Sequence, residues 1–175
     1  MSSTIPAPGY SEPLILYHGT STVFDRFVPS ATGAEGPGIY LSDVYSIYGD
    51  FCLKTKVAMT NPFFFYPSDE SLEAPANGEL IEQVLSPEMA AIVNERLDRE
   101  GLIGYGYEVQ EALKARGHDG IIMVYPFGEP VLPGVTGSAV VIAFESDQVE
   151  ILGVVPPPVV QSPRRHKRDE DSLSL

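Results

Sequence analysis

The chain has 175 residues, of which 43% are hydrophobic and 20% charged, and this length suits one domain with a sizeable core. Its net charge of −13 argues against a general nucleic-acid binder, because neutralising phosphates requires clustered cations. No apolar run is long enough to cross a membrane, and a single cysteine excludes an internal disulfide. Residues 1–13 lack the pattern of a secretion signal, so we expect a cytoplasmic setting.

In the N-terminal third, the sequence predicts short strands before and after one helix. Residues 1–13 contain three prolines and are expected to form a flexible lead-in, followed by short apolar strands over 14–17 and 38–41. Ser42 or Asp43 is a plausible N-cap for a helix that runs to about residue 51. The apolar positions with helical spacing are Val44, Ile47, Tyr48 and Phe51. A strand over 54–60 follows.

In the rest of the chain, the sequence predicts three helices followed by three strands. Weak helical character over 79–85 precedes a helix that begins at Ser86-Pro87-Glu88, a cap followed by proline and an acid, and ends at Gly101. This second helix is expected to turn Met89, Ile92, Val93 and Leu97 inward. A third helix is predicted over 107–116, and strands over 120–125, 139–144 and 148–154.

These elements predict an α+β domain of five to six short strands and about three helices over residues 14–154. Residues 155–175 are rich in proline and then in charge, and we expect them to be a disordered tail.

Candidate site residues lie at the ends of the first strands. His18 follows an apolar run, and it could be a structural residue or a ligand for an anion or a sugar hydroxyl. Gly19 would let a ligand approach the backbone closely. Tyr40 could be a core residue, or it could form a slot for a flat aromatic ligand together with Phe51.

Several other site classes lack their signals. Neither glycine-rich phosphate-binding motif is present, and there is no Gly-x-Ser-x-Gly elbow for serine catalysis. The three histidines are far apart in sequence, so we expect no metal site.

An ordered set of motifs resembles the ADP-ribosyltransferase fold of the diphtheria-toxin and poly(ADP-ribose) polymerase type. The likeness is closest to the small ADP-ribosyltransferase domains of phage and bacterial polyvalent proteins, and it spans about residues 14–152. The motifs are Leu-Tyr-His-Gly-Thr at 16–20, Gly-Ile-Tyr-Leu-Ser-Asp at 38–43, Ala-Leu-Lys-Ala-Arg-Gly-His-Asp-Gly-Ile-Ile at 112–122 and Val-Val-Ile-Ala-Phe at 140–144. The resemblance implies short mixed and antiparallel strands in a split sheet.

The resemblance also implies a function, an NAD-dependent mono-ADP-ribosyltransferase (a glycosyltransferase) that releases nicotinamide. NAD is then a substrate, and the acceptor is expected to be a protein of the producing or the infected cell. Carried over by position, His18, Gly19, Thr20, Tyr40 and Phe51 would contact NAD, with the rings of Tyr40 and Phe51 enclosing the nicotinamide.

One departure from the family pattern concerns the acid that steadies the developing positive charge. The family often has a glutamate where this chain has Val140. Glu129, in the loop before that strand, is the nearest acid that could take its place. Two alternatives therefore stay open, a catalytically silent binding module of the same fold and an NAD glycohydrolase that transfers ADP-ribose to water.

Overall fold

A computed structural model describes residues 10–46, 48–69 and 77–156. Its strands and helices, in chain order, are β1 (Leu14–Thr20), β2 (Ile39–Ser42), β3 (Phe51–Val57), β4 (Phe63–Phe65), α1 (Gly78–Val84), α2 (Pro87–Glu100), α3 (Glu108–Ala115), β5 (Gly120–Val124), β6 (Ala139–Ala143) and β7 (Val149–Val155). Short 3₁₀ turns follow α2 and β6. Within these residues, none of the helices has the length and apolar character that a membrane span requires.

The seven strands form one mixed sheet in the order β4-β5-β6-β2-β1-β3-β7. The β4–β5 pairing is parallel and the others are antiparallel. β1 pairs with β3 along its whole length, but it meets β2 only at Tyr17 and Ser42. The sheet is therefore nearly divided between β2 and β1, which confirms the expected α+β fold with a split sheet.

Each face of the sheet carries its own core. The first core lies on the face without helices and is closed by the N-terminal segment and by loops; among its members are Leu16, Phe27, Ile39, Leu41, Leu53 and Val57. The second core lies between the other face and the helices, and among its members are Leu80, Val93, Tyr105, Leu113, Ile142 and Phe144. Because strand side chains alternate between faces, neighbouring residues of β2 enter different cores.

The predicted helix from Ser42 or Asp43 to residue 51 is wrong. The described residues of this segment form bends, and Phe51 begins β3 instead, opposite Thr20. Gly49 has a φ of +81° and packs against the Thr20 carbonyl, a close approach and a backbone conformation that favour glycine in the segment between β2 and β3. Backbone pairing of β3 with both β1 and β7 outweighs the local apolar spacing.

The helix after Ser86 is confirmed, but its predicted inward face is half wrong. The Ser86 hydroxyl accepts the Met89 N–H at 3.3 Å, and Gly101 ends the helix with a φ of +63°. Val93 is buried, whereas Met89 and Ile92 are 40% and 51% exposed. The buried face is rotated because α1 and the turn after α2 decide which side of the helix is covered.

Three further sequence predictions were imprecise. The 63–65 segment forms β4, a strand that the sequence did not predict, because its backbone pairs with the buried β5. Packing begins before residue 14, since Tyr10 is buried in the first core and its hydroxyl donates to the Pro133 carbonyl at 2.9 Å. At the other end β7 includes residue 155; the rest of the predicted lead-in and tail, 1–9 and 157–175, lies outside the described residues.

Candidate functional site

The candidate site lies where β1 and β2 separate. Beyond the pairing of Tyr17 with Ser42 the two strands share no further ladder contact. The Tyr40 carbonyl, which faces this gap, is instead bonded by His18 Nδ1 at 2.8 Å. The bond fixes the imidazole ring, and it leaves Nε2 as the polar ring atom that a ligand could use.

The His18 ring lies on the first-core face. It packs edge-on against Phe27, with ring centroids 5.0 Å apart and planes at 87°, and against Phe24 at 6.1 Å. These rings border a cavity of about 440 Å³ that Arg26 and Ser30 also line. The cavity is mostly apolar with a few polar groups at its wall, a composition typical of small-molecule sites.

The Tyr40 ring lies on the opposite face and packs against the second core. Its hydroxyl accepts the Glu35 N–H at 3.0 Å and donates to the Gly36 carbonyl at 2.5 Å. Burial raises the pKa of this hydroxyl, so it stays protonated and keeps donating. Gly33 contacts the same ring so closely that a Cβ there would overlap it.

Glu35 is a buried acid that the sequence analysis did not single out. It is 5% exposed, and burial raises the pKa of its carboxyl to about 7. The residue lies in a Gly- and Pro-containing loop, where no periodic pattern marks a buried position. Its only signal in the sequence is an acid between Gly33 and Gly36, next to the motif that contains Tyr40.

Gly19 is a second point of close packing in this region. A Cβ there would overlap the Tyr48 carbonyl and the Ser46 hydroxyl, so the segment before β3 lies directly over Gly19. The neighbouring Thr20 hydroxyl closes a local turn with Thr22, donating to its carbonyl at 2.9 Å. Only glycine permits this approach of two backbones.

The expected pair of rings around a ligand does not form in this structure. Phe51 precedes Leu53 by two residues in β3, so both side chains lie on the first-core face, whereas the Tyr40 ring faces the second core. Phe51 is 39% exposed at the end of β3. The sequence distance between the two aromatics does not reveal this, because the face on which Phe51 lies depends on its register in β3.

Val140 and Glu129 differ in environment. Val140 lies in β6 between Ser42 and Met123 and packs against the second core, on the same face as Tyr40. Glu129 is exposed in the loop before β6, next to the point where Ser138 bonds the Phe127 carbonyl. Across residues 10–46, 48–69 and 77–156, no three His, Cys, Asp or Glu side chains cluster as metal ligands would.

A comparison with family models identifies the class of this domain. The model for ADP-ribosyltransferases in polyvalent proteins matches residues 10–151. The chain therefore belongs to this family, which confirms the resemblance seen in the motifs. Searches of curated proteins and of solved structures found no match.

Proposed function

We propose that the protein is an NAD-dependent mono-ADP-ribosyltransferase that modifies a protein. The observation that carries the proposal is the separation of β1 and β2, with the His18 ring bonded to the Tyr40 carbonyl at the gap, in a chain of this family. Such a gap leaves backbone groups and one imidazole nitrogen available to a dinucleotide, beside a cavity of about 440 Å³.

In the proposed reaction the bond between C1′ of the ribose and N1 of nicotinamide breaks, and its electron pair leaves with nicotinamide. The ribose carbon becomes an oxocarbenium-like cation. A nucleophilic atom of the acceptor protein then bonds to C1′, and its proton passes to solvent. The protein accelerates such a step by orienting NAD and by stabilising the cation electrostatically.

The residue roles belong to the proposal. His18 Nε2 bonds a ribose hydroxyl, the backbone of Gly19 and Thr20 contacts the nicotinamide carboxamide, and Tyr40 forms part of the pocket wall. Phe51, exposed beside Thr20, is available to cover a ligand at the end of β1.

The experiment follows labelled NAD through the purified protein in the presence of a cell lysate. Nicotinamide release together with label on protein supports transfer. The His18→Ala variant should lose about tenfold or more in turnover, the value of one hydrogen bond to substrate. Tyr17→Phe, a neighbouring change on β1, serves as the control. If wild-type protein and His18→Ala both show no nicotinamide release, the proposal fails.

Val140 favours a second candidate, a silent module that binds NAD or ADP-ribose without turnover, because the face of β6 toward the second core carries no acid. Calorimetric binding of NAD without nicotinamide release would select it. Nicotinamide release without label on macromolecules would select NAD hydrolysis. The Glu129→Gln variant tests whether this loop acid contributes, and unchanged turnover would exclude it.

A further inference from the structure

The wall of the cavity beside His18 differs in charge from the rest of the molecule. The whole chain carries a net charge of −13. Among the described residues that border this cavity, Arg26 is the one with a permanent charge, and none is an aspartate or a glutamate. The other side chains of the wall are aromatic, aliphatic or hydroxyl-bearing, apart from the His18 imidazole. A ligand in this cavity therefore meets one fixed cation, which attracts an anionic group.

The Arg26 guanidinium is available to a ligand. In the part of the chain that the structure describes, it forms neither an ion pair nor a hydrogen bond with another residue. The three other arginines of that part are engaged, since Arg96 and Arg99 each pair with a glutamate and Arg116 donates to a backbone carbonyl. Arg26 thus keeps its charge and its planar set of donors for a ligand.

The segment around Arg26 is held against His18 by two aromatic side chains. Phe27 is 3% exposed, and its ring meets the His18 ring edge-on with centroids 5.0 Å apart. Phe24 packs edge-on against Phe27 at 4.9 Å. These contacts on either side of Arg26 fix its backbone beside the cavity, so little ordering of the loop is left to oppose ligand binding.

The His18 ring offers a hydrogen-bond acceptor to the same cavity. Its Nδ1 lies 2.8 Å from the Tyr40 carbonyl oxygen, which can only accept, so we assign a proton to Nδ1. In the neutral imidazole Nε2 then carries the lone pair. That nitrogen pairs with a donor such as a sugar hydroxyl, and it has no proton to give to a phosphate oxygen. The cavity therefore divides the recognition of a ligand between a hydroxyl at His18 and an anion at Arg26.

A nucleoside diphosphate carries both of these groups. Its ribose has hydroxyl donors, and its phosphates are anions a few bonds away. The nicotinamide ring of NAD⁺ is by contrast positively charged, so the Arg26 cation opposes its entry into this cavity. Arginine is also the side chain whose planar fork matches two phosphate oxygens at once. The ADP half of NAD therefore fits this wall better than the nicotinamide half.

We propose that Arg26 binds the diphosphate of NAD, with the adenosine-side ribose at His18 and the nicotinamide end directed out of the cavity. The proposal rests on the proposed use of NAD as substrate. Arg26 contacts the dinucleotide away from the bond that breaks, so its contribution is to binding and alignment. Its loss should therefore raise KM for NAD more than it lowers kcat.

The first measurement is the binding of ADP and of adenosine to wild-type protein, Arg26→Gln and Arg99→Gln by calorimetry. The two ligands differ by the diphosphate, so the ratio of their Kd values isolates its contribution. Arg99 is an exposed arginine of α2, and its replacement changes the net charge equally, which makes it the matched control. We expect the preference for ADP over adenosine to fall about 10- to 100-fold in Arg26→Gln, the value of charge-assisted hydrogen bonds, and to stay unchanged in Arg99→Gln.

The second measurement separates phosphate recognition from a structural role. Arg26→Lys keeps the charge but lacks the fork, so it should regain part of the affinity for ADP that Arg26→Gln loses. Steady-state turnover of NAD should show KM raised about tenfold or more in Arg26→Gln, with kcat within about threefold of wild type. Urea unfolding of both Arg26 variants should match that of the wild type, because the guanidinium has no partner in the described part of the chain.

The outcomes separate the two proposals. If ADP binds and Arg26→Gln equals Arg99→Gln in its preference for ADP over adenosine, Arg26 does not hold the diphosphate, and nicotinamide release alone then decides the transferase proposal. If the preference falls in Arg26→Gln while NAD is bound but not cleaved, the role of Arg26 is correct and the transferase proposal fails. If wild-type protein binds neither ADP nor NAD, both proposals are wrong.

Discussion

Replacing Glu35 by glutamine should stabilise the protein, and more so at alkaline than at acidic pH. The carboxyl has a pKa of 4.5 when unperturbed and about 7 when buried in the fold. Between these values the folded state binds more protons than the unfolded state, so stability falls as pH rises from about 4.5 to 7 and is constant above. Burying the charge therefore costs about 1 kcal/mol at pH 5 and about 3 kcal/mol at pH 8.

Glutamine has nearly the same shape and no charge to bury, so Glu35→Gln removes this pH-dependent cost. Urea unfolding at pH 5 and pH 8 measures it, with Glu82→Gln, a change at an exposed residue of α1, as the control. We expect the stability gain of Glu35→Gln to be about 2 kcal/mol larger at pH 8 than at pH 5. Equal effects at the two pH values would show that the Glu35 carboxylate is solvated in the folded protein and that no charge is buried there.

Two further predictions test how the loops are held. Gly36→Ala should destabilise the fold by about 3 kcal/mol, because φ is +97° and the new Cβ would lie 2.7 Å from Tyr105 Cε1; Gly101→Ala, with φ of +63° and nothing within 4 Å, should cost only about 1 kcal/mol. If both variants lose the same free energy of unfolding in urea, the clash of the new Cβ with Tyr105 does not contribute. Asp119→Ala should cost about 2 kcal/mol, because its carboxylate accepts the Thr60 N–H at 2.6 Å, the Thr60 hydroxyl and the Asn61 N–H. Thermal unfolding within 0.5 °C of wild type, against the roughly 5 °C expected, would contradict that role.

Glu35 is a buried acid whose position in the fold could not be inferred from its neighbours in the sequence. The sequence suggested Glu129 because that residue is close to Val140 along the chain, and its part in the reaction stays a prediction. Glu35 is separated from Val140 by more than 100 residues of sequence. The loop between β1 and β2 nevertheless brings it to the same face of the sheet, where it contacts Tyr40. Closeness along the chain is a poor guide when a site is assembled from several strands.

Short-range signals in the sequence determined several of the strands and helices of this protein. The buried strands β5 and β6 are continuous apolar runs, and α2 has a capping serine, a proline at its first position and a terminal glycine. Such signals act within a few residues, so the sequence displays them directly where the tertiary context does not oppose them. The ordered motifs likewise identified the family, because they preserve residue types at fixed positions and do not depend on packing.

The tertiary structure alone decided the rest. The segment before Phe51 has helical spacing, yet it forms a turn because β3 gains backbone pairing with two neighbouring strands. Strand alternation, fixed only once the register is known, puts the rings of His18 and Tyr40 on opposite faces, although the His18 ring bonds the Tyr40 carbonyl. Glu35 is buried in a loop that is held from two sides, since the Glu35 N–H bonds Tyr40 of β2 and Gly36 lies against Tyr105 of the turn after α2. No local pattern encodes such a combination, since each contact gains its free energy only when all of the elements are in place.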